Sequence, residues 1–284
     1  MTSDYTEPVS KLLSLGELDW DEWDDYSRFS YTKAHVPELI RLGTDRHLLI
    51  DDDIDDDEMW APMHAWRVLA QMQAVESIAP LAQALDWSSE SDSDLINEGL
   101  TDVLEEFGEP AVDPLTKFIN DSGHNEFGYI NASEVLANIA GRHPECRERV
   151  VASISAALEA HFERNDEDVN GFWLADLLNL KAVESYPIIK KVFEAKKINV
   201  RVAGDLEDVE IEFGMREKRD TPPPNVPLSP DLLRRLTTPP TRGMDELLEQ
   251  RAKDELKRFQ QKAKKEKNKR KQEKKSRKKN RKRK

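Results

Sequence analysis

Residues 65–87 read AWRVLAQMQAVESIAPLAQALDW, and this stretch decides the fold. Its apolar residues return at steps of three and four, the period of amphipathic helices. Pro80 sits where a second helix would begin, in a first turn whose N–H groups have no partner to lose. Shifted by 34 residues, the chain reads GLTDVLEEFGEPAVDPLTKFIND over 99–121. Leu69 falls on Val103, Ile78 on Val112, Pro80 on Pro114, Leu81 on Leu115 and Leu85 on Ile119. A third copy follows 33 residues on, starting at Ala132 (ASEVLANIAG), with Leu136 in the place of Val103. Its second helix is expected at 148–162, longer and without the proline. A fourth copy spans 172–195, FWLADLLNLKAVESYPIIKKVFEA, where residues 182–185 repeat the letters of 74–77 and Ile189 and Phe193 replace Leu81 and Leu85. A degenerate first copy is read at 31–50, where Pro37 precedes Pro80 by 43 residues.

Each copy is a helical hairpin with an apolar stripe on both helices. One hairpin cannot bury either stripe, so neighbours must stack. The pattern AxxxLxxxxxxxSxxPLxxxL at 65–85 resembles the HEAT-like repeat family, in particular the short-helix form of phycobilisome lyases and related bacterial proteins. The likeness covers about two-thirds of the chain, and three features depart from it: a 41-residue spacing before the last copy, Pro187 shifted by one, and the acidic insertion at Asp51. The expectation is an all-α fold, an α-solenoid of about four to five hairpins. The resemblance also implies a role in attaching or detaching a bilin on an antenna protein, although no lyase catalytic residue maps onto this chain.

Outside the repeats, residues 1–30 form an acidic, aromatic cap and 31–198 the solenoid. Over 199–220, Val200-Arg-Val-Ala and Val209-Glu-Ile-Glu-Phe213 alternate apolar and polar residues, which predicts a small β-hairpin closing the stack. Residues 221–242 are a Pro-rich linker, with seven of the fifteen prolines between Thr221 and Pro240. Within it, SPDLLRRL at 229–236 reads as one or two helical turns of a docking peptide. Residues 243–284 are a basic tail, first helical (Leu248, Ala252, Leu256 and Phe259 make a thin stripe) and then too polar to fold alone.

Charge divides the chain sharply. Residues 251–284 carry 20 Lys and Arg against 4 Asp and Glu, a net of +16, so the remaining 250 residues carry −29. No run approaches the 18 apolar residues of a membrane span, and the first residues, MTSDYTEP, lack a signal-peptide pattern. A cytoplasmic protein is expected. Cys146 is the only cysteine, which excludes an internal disulfide, a CxxC pair and thiolate-rich metal sites. Glycines never take a phosphate-cradling spacing.

The candidate residues are therefore for partners rather than for catalysis, and no catalytic residue, cofactor or metal is expected. DDDIDDDE at 51–58 (Asp51, Asp52, Asp53, Asp55, Asp56, Asp57, Glu58) lacks the Gly and Glu that a Ca²⁺-binding helix–loop–helix requires. It reads as a solvated loop that attracts a basic partner. Trp20, Trp23 and Tyr26, spaced by three among the five carboxylates of residues 18–26, would share one helical face. That face either docks on the first hairpin or grips Lys and Arg by cation–π contact. His64 and His161 fall on helix surfaces by register, and Cys146 reads as packing. In the last copy Lys181, Lys190, Lys191, Lys196, Lys197 and Arg201 outnumber the acids, a solvated face or an anionic docking surface. The tail cations Lys264, Lys265, Lys267, Arg270, Lys271, Lys274, Lys275, Arg277, Lys278, Lys279, Arg281, Lys282, Arg283 and Lys284 would neutralise phosphates, giving salt-sensitive, sequence-blind contact with nucleic acid or a ribosome-like surface. An intramolecular screen of the acidic body is the other reading of the tail. Together these features predict a non-enzymatic protein-interaction scaffold with a basic protein partner.

Overall fold

A computed structural model describes residues 5–20, 22–51, 54–55, 57–89 and 95–224. These belong to the first of two compact units, residues 1–225. The second, from 226 onwards, lies outside the described residues, as do the docking peptide and all the tail cations named above.

Among the described residues the structure is all-α, with no strand. Two short helices, α1 (Val36–Gly43) and α2 (Arg46–Ile50), come first. Then come helices in pairs: α3 (Ala61–Gln71) with α4 (Ile78–Gln83), α5 (Thr101–Glu106) with α6 (Val112–Asn120), α7 (Glu126–Arg142) with α8 (Arg147–His161), and α9 (Glu167–Asn179) with α10 (Tyr186–Glu194). A single π-helical turn, Leu95–Leu100, leads directly into α5. Both Pro80 and Pro114 stand third in their helices, where an N–H has no intrahelical acceptor.

Packing follows the repeat register. The first helices touch one another in sequence, α3 on α5, α5 on α7 and α7 on α9, and the second helices do likewise, α4 on α6, α6 on α8 and α8 on α10. The equivalent residues Leu69, Val103, Leu136 and Leu177 are all buried, and so are Leu81, Leu115 and Ile189. One continuous core runs from Val9 to Val209. At its near end α1 lies against α3 so closely that a Cβ on Gly43 would stand 2.8 Å from Trp66 Cδ1. Trp66 Nε1–H donates to the Gly43 carbonyl at 2.6 Å.

At the far end the expected β-hairpin is absent, and two helices stand in its place: α11 (Val200–Ala203) and α12 (Leu206–Glu212). The alternation misled because start signals outweigh it. Asn199 caps α11, Gly204 turns the chain at φ +78°, and Asp205 and Asp208 form a reciprocal capping box for α12. Leu206, Val209 and Phe213 also fall on one helical face, and Val209 is fully buried. Arg219 then clamps both Asp205 and Asp208.

Candidate interaction surface

The aromatic acidic segment does not form a helix. Residues 15–20 and 22–25 run as an irregular strap across α3, bent at Leu15, Glu17, Trp20 and Glu22, followed by one short 3₁₀ turn at Tyr26–Phe29. Three side chains of α3, spaced three and four apart on one face, hold its main chain. His64 Nε2 lies 2.9 Å from the Gly16 carbonyl. Arg67 Nη1 donates to Asp19 O at 2.8 Å and Nη2 to Trp20 O at 3.4 Å. Gln71 Nε2 donates to Asp24 O at 2.8 Å, while its carbonyl accepts from Tyr26 N. The strap needs no helix of its own because these backbone carbonyls are satisfied from α3.

This arrangement separates the three rings that one helical face would have aligned. Tyr26 is buried, its O–H 2.6 Å from His64 Nδ1. His64, expected on a surface, is therefore buried beneath the strap. Burial pushes its pKa down, and the neutral ring accepts from Tyr26 and donates to Gly16. Trp23 already stacks its face against Arg67, 5.1 Å from the ring centroid, so this cation–π site is filled from within the chain. Trp20 is 37% exposed and meets Trp60 edge-on. Trp23 and Tyr26 thus lie against α3, while Trp20 stays partly exposed beside Trp60.

Of the acidic loop, Asp51, Asp55 and Asp57 are exposed and Glu58 is half-buried, whereas Asp52, Asp53 and Asp56 lie outside the described residues. Asp51 pairs with His47 at 2.5 Å. No group of three or more metal-ligating side chains occurs among the described residues. The cations of the last copy are partly paired, Lys181 with Glu212 and Lys191 with Glu159. Cys146 is buried, and burial, then Glu109 and Glu145, push its thiol pKa up, away from the reactive thiolate.

The equivalent face further along, on α5, α7 and α9, escaped the sequence reading. Here a hollow of about 520 Å³ is lined by Asp102, Glu105, Asn138, Arg142, Asn179 and Leu180, among others. Glu105 is buried, accepts from Asn138 Nδ2 at 2.6 Å and pairs with Arg142 at 2.8 Å. Burial nevertheless raises its pKa, and it raises that of Asp102 too. Asp176 is buried with Ser133 Oγ at 2.5 Å, and burial pushes its pKa up to about 7. The signal that could have found these residues is the repeat itself. Offsets of 34, 33 and 41 put Gln71, Glu105, Asn138 and Asn179 in one column and Val68, Asp102, Val135 and Asp176 in another.

A family model described as "Protein of unknown function (DUF1186)" matches residues 28–221. No curated protein and no solved structure matches the chain. Among the described residues, no helix is long and apolar enough to cross a membrane.

Proposed function

For a chain that belongs to the DUF1186 family of proteins of unknown function, by a match over residues 28–221, we propose a non-enzymatic scaffold built of HEAT-like repeats that binds a basic protein partner in the cytoplasm. The observation that carries this reading is the open face of α5, α7 and α9. The Glu105, Asn138 and Asn179 column carries polar side chains beside the exposed Asp102 and Glu134. A body of net charge −29 steers cationic partners toward itself and repels nucleic acid. The 251–284 segment, at +16, gives the chain a second affinity, for anionic surfaces such as nucleic acid or a ribosome.

The test is affinity capture by the full-length protein from its native lysate, with and without nuclease, in rising salt. The scaffold reading expects protein partners that survive nuclease and are released by salt. Partners that all vanish with nuclease would overturn it and make the basic segment the functional element.

A further inference from the structure

A hollow of about 480 Å³ opens where α7 begins, lined among others by Ser122, His124, Phe127, Tyr129, Arg164 and Val169. His124 is built into its wall. Its side chain is nine-tenths buried (10% exposed), with Nδ1 2.8 Å from Asp86 Oδ2. Its ring stacks on Phe118 at 3.5 Å between centroids, and Tyr129 stands edge-on to it. Asp86 is fixed in turn. Its Oδ1 accepts from Asn125 N at 3.0 Å, and Gly128, in the first turn of α7, lacks the Cβ that would collide with this carboxylate. Neither Asp86 nor Phe118 lines the hollow, so the ring turns toward it the edge that carries Nε2, which has no partner among the described residues. The helix end itself does not need His124, because Asn125 Oδ1 already caps α7 by accepting from Gly128 N at 2.9 Å.

We infer that this hollow binds the free C-terminal carboxylate of a partner protein whose last side chain is large and apolar. The inference rests on the scaffold reading and specifies which part of the partner is gripped. Donors for a carboxylate converge here. Asp86 and Asn125 take the N–H groups of Asn125 and Gly128, which leaves those of Glu126 and Phe127 with no intrahelical acceptor. Arg164 lies 6.0 Å from the Tyr129 ring centroid, its Nη2 3.5 Å from Tyr129 Oη. It has no carboxylate partner among the described residues, whereas Arg142, Arg147, Arg149, Arg216 and Arg219 all pair with one. A proton on each ring nitrogen, one for Asp86 and one for the ligand, makes His124 a further donor. The ring of Phe127, 46% exposed, offers the last side chain an apolar wall beside Val169. Charge selects among anions. Asp86 balances a charged His124, so Arg164 is left to meet a single negative charge. Glu126 is exposed and Asp166 caps α9, and both oppose a dianion such as a phosphate monoester. The rest of the molecule selects a chain end over a small free acid: at −29, the residues before 251 draw in a basic chain and repel a lone anion.

The experiment titrates full-length protein into the fluorescein-labelled octapeptide Arg-Ser-Arg-Ser-Arg-Ser-Leu-Phe, read by anisotropy, with its C-terminus either a free acid or an amide. The wild type binds the acid about tenfold more tightly than the amide, the effect of one charge-assisted hydrogen bond. Ending the acid in Gly instead of Phe weakens it about fivefold. Arg164→Met, at an exposed position, lowers the acid to about the affinity of the amide and changes the amide less than about twofold. That variant also separates the hollow from residues 251–284, whose net +16 favours any acid. Equal binding of acid and amide by the wild type overturns the inference, and that readout needs no variant to fold. An acid preference that survives Arg164→Met overturns it too. So does N-acetylphenylalanine binding as tightly as the octapeptide, which would make the hollow a site for small carboxylates. A nuclease-resistant partner captured equally by wild type and by Arg164→Met would leave the scaffold standing and remove this site. An Arg164-dependent acid preference without any nuclease-resistant partner would uphold the carboxylate site and overturn the scaffold.

Discussion

Asp176 offers the most direct test of the energetics. Its carboxylate is buried in the interface between α7 and α9, accepts a hydrogen bond from Ser133 Oγ at 2.5 Å, and has its pKa raised from 3.8 to about 7. Burial is the main cause; the Ser133 hydrogen bond works against it and Glu134 adds to it. Because the folded pKa is raised, the native state keeps a proton that the unfolded chain has lost between pH 3.8 and about 7. The group therefore destabilises progressively as pH rises through that window, by a total on the order of 4 kcal/mol, of which roughly 2–3 kcal/mol falls between pH 5 and pH 8. Asp176→Asn abolishes the titration and keeps an acceptor for Ser133. The new buried amide donors carry their own cost of about 1–3 kcal/mol, but that cost does not vary with pH. The expected observable is thus a difference of differences. Relative to wild type, the variant gains roughly 2–3 kcal/mol on going from pH 5 to pH 8, or about 5–10 °C in Tm. Urea titrations at pH 5, 6, 7 and 8 measure it. His64, whose lowered pKa gives the opposite trend below its ordinary 6.5, is common to both proteins and cancels. A variant-minus-wild-type difference that stays flat across this range would refute the account of Asp176.

Three further outcomes follow from the packing. Leu115→Ala, at a fully buried position of the second-helix column, should cost about 2–5 kcal/mol in urea denaturation. Arg67→Met removes the guanidinium bonds to Asp19 O and Trp20 O and should cost about 2 kcal/mol, with faster proteolytic cleavage between residues 16 and 25 than in the wild type. Asp205→Ala breaks the α12 capping box and one limb of the Arg219 clamp, and should lower stability by about 1–2 kcal/mol in thermal melts.

The helical pairs were legible because their evidence is written twice, in the apolar period and in its recurrence. Leu69, Val103 and Leu136 match by register and are buried together, and the second helix of the third copy, expected at 148–162, is found at Arg147–His161. The two ends were harder to read, for opposite reasons. At 199–220 the alternation of short apolar residues outweighed the Asn199 and Asp205 caps, which are single residues with little weight in a pattern count. At 15–26 the three-residue spacing of Trp20, Trp23 and Tyr26 invited a helix. Its real determinant was elsewhere in the chain, in polar groups on α3 that bond the segment's backbone. No local pattern records a partner 48 residues away, which is the separation of His64 from Gly16.

The same distinction bears on the open face. At the column of Val68, Asp102, Val135 and Asp176, both valines are buried without difficulty, so the fold itself accepts an apolar residue there. Asp176 in that column gives up stability on the order of 4 kcal/mol at neutral and higher pH. Glu105, one turn along α5 from Asp102, also has its pKa raised by burial, a rise that Asn138 and Arg142 from the neighbouring repeat oppose. A buried carboxylate that weakens the fold where valine would serve makes the packing of α7 on α9 pH-dependent, and Ser133 is the group that partly offsets its cost. The α3 face is closed by the strap through His64, Arg67 and Gln71, whereas on the α5–α7–α9 face Asp102, Glu134 and Asn179 stay exposed while Glu105 and Asp176 are buried beneath them.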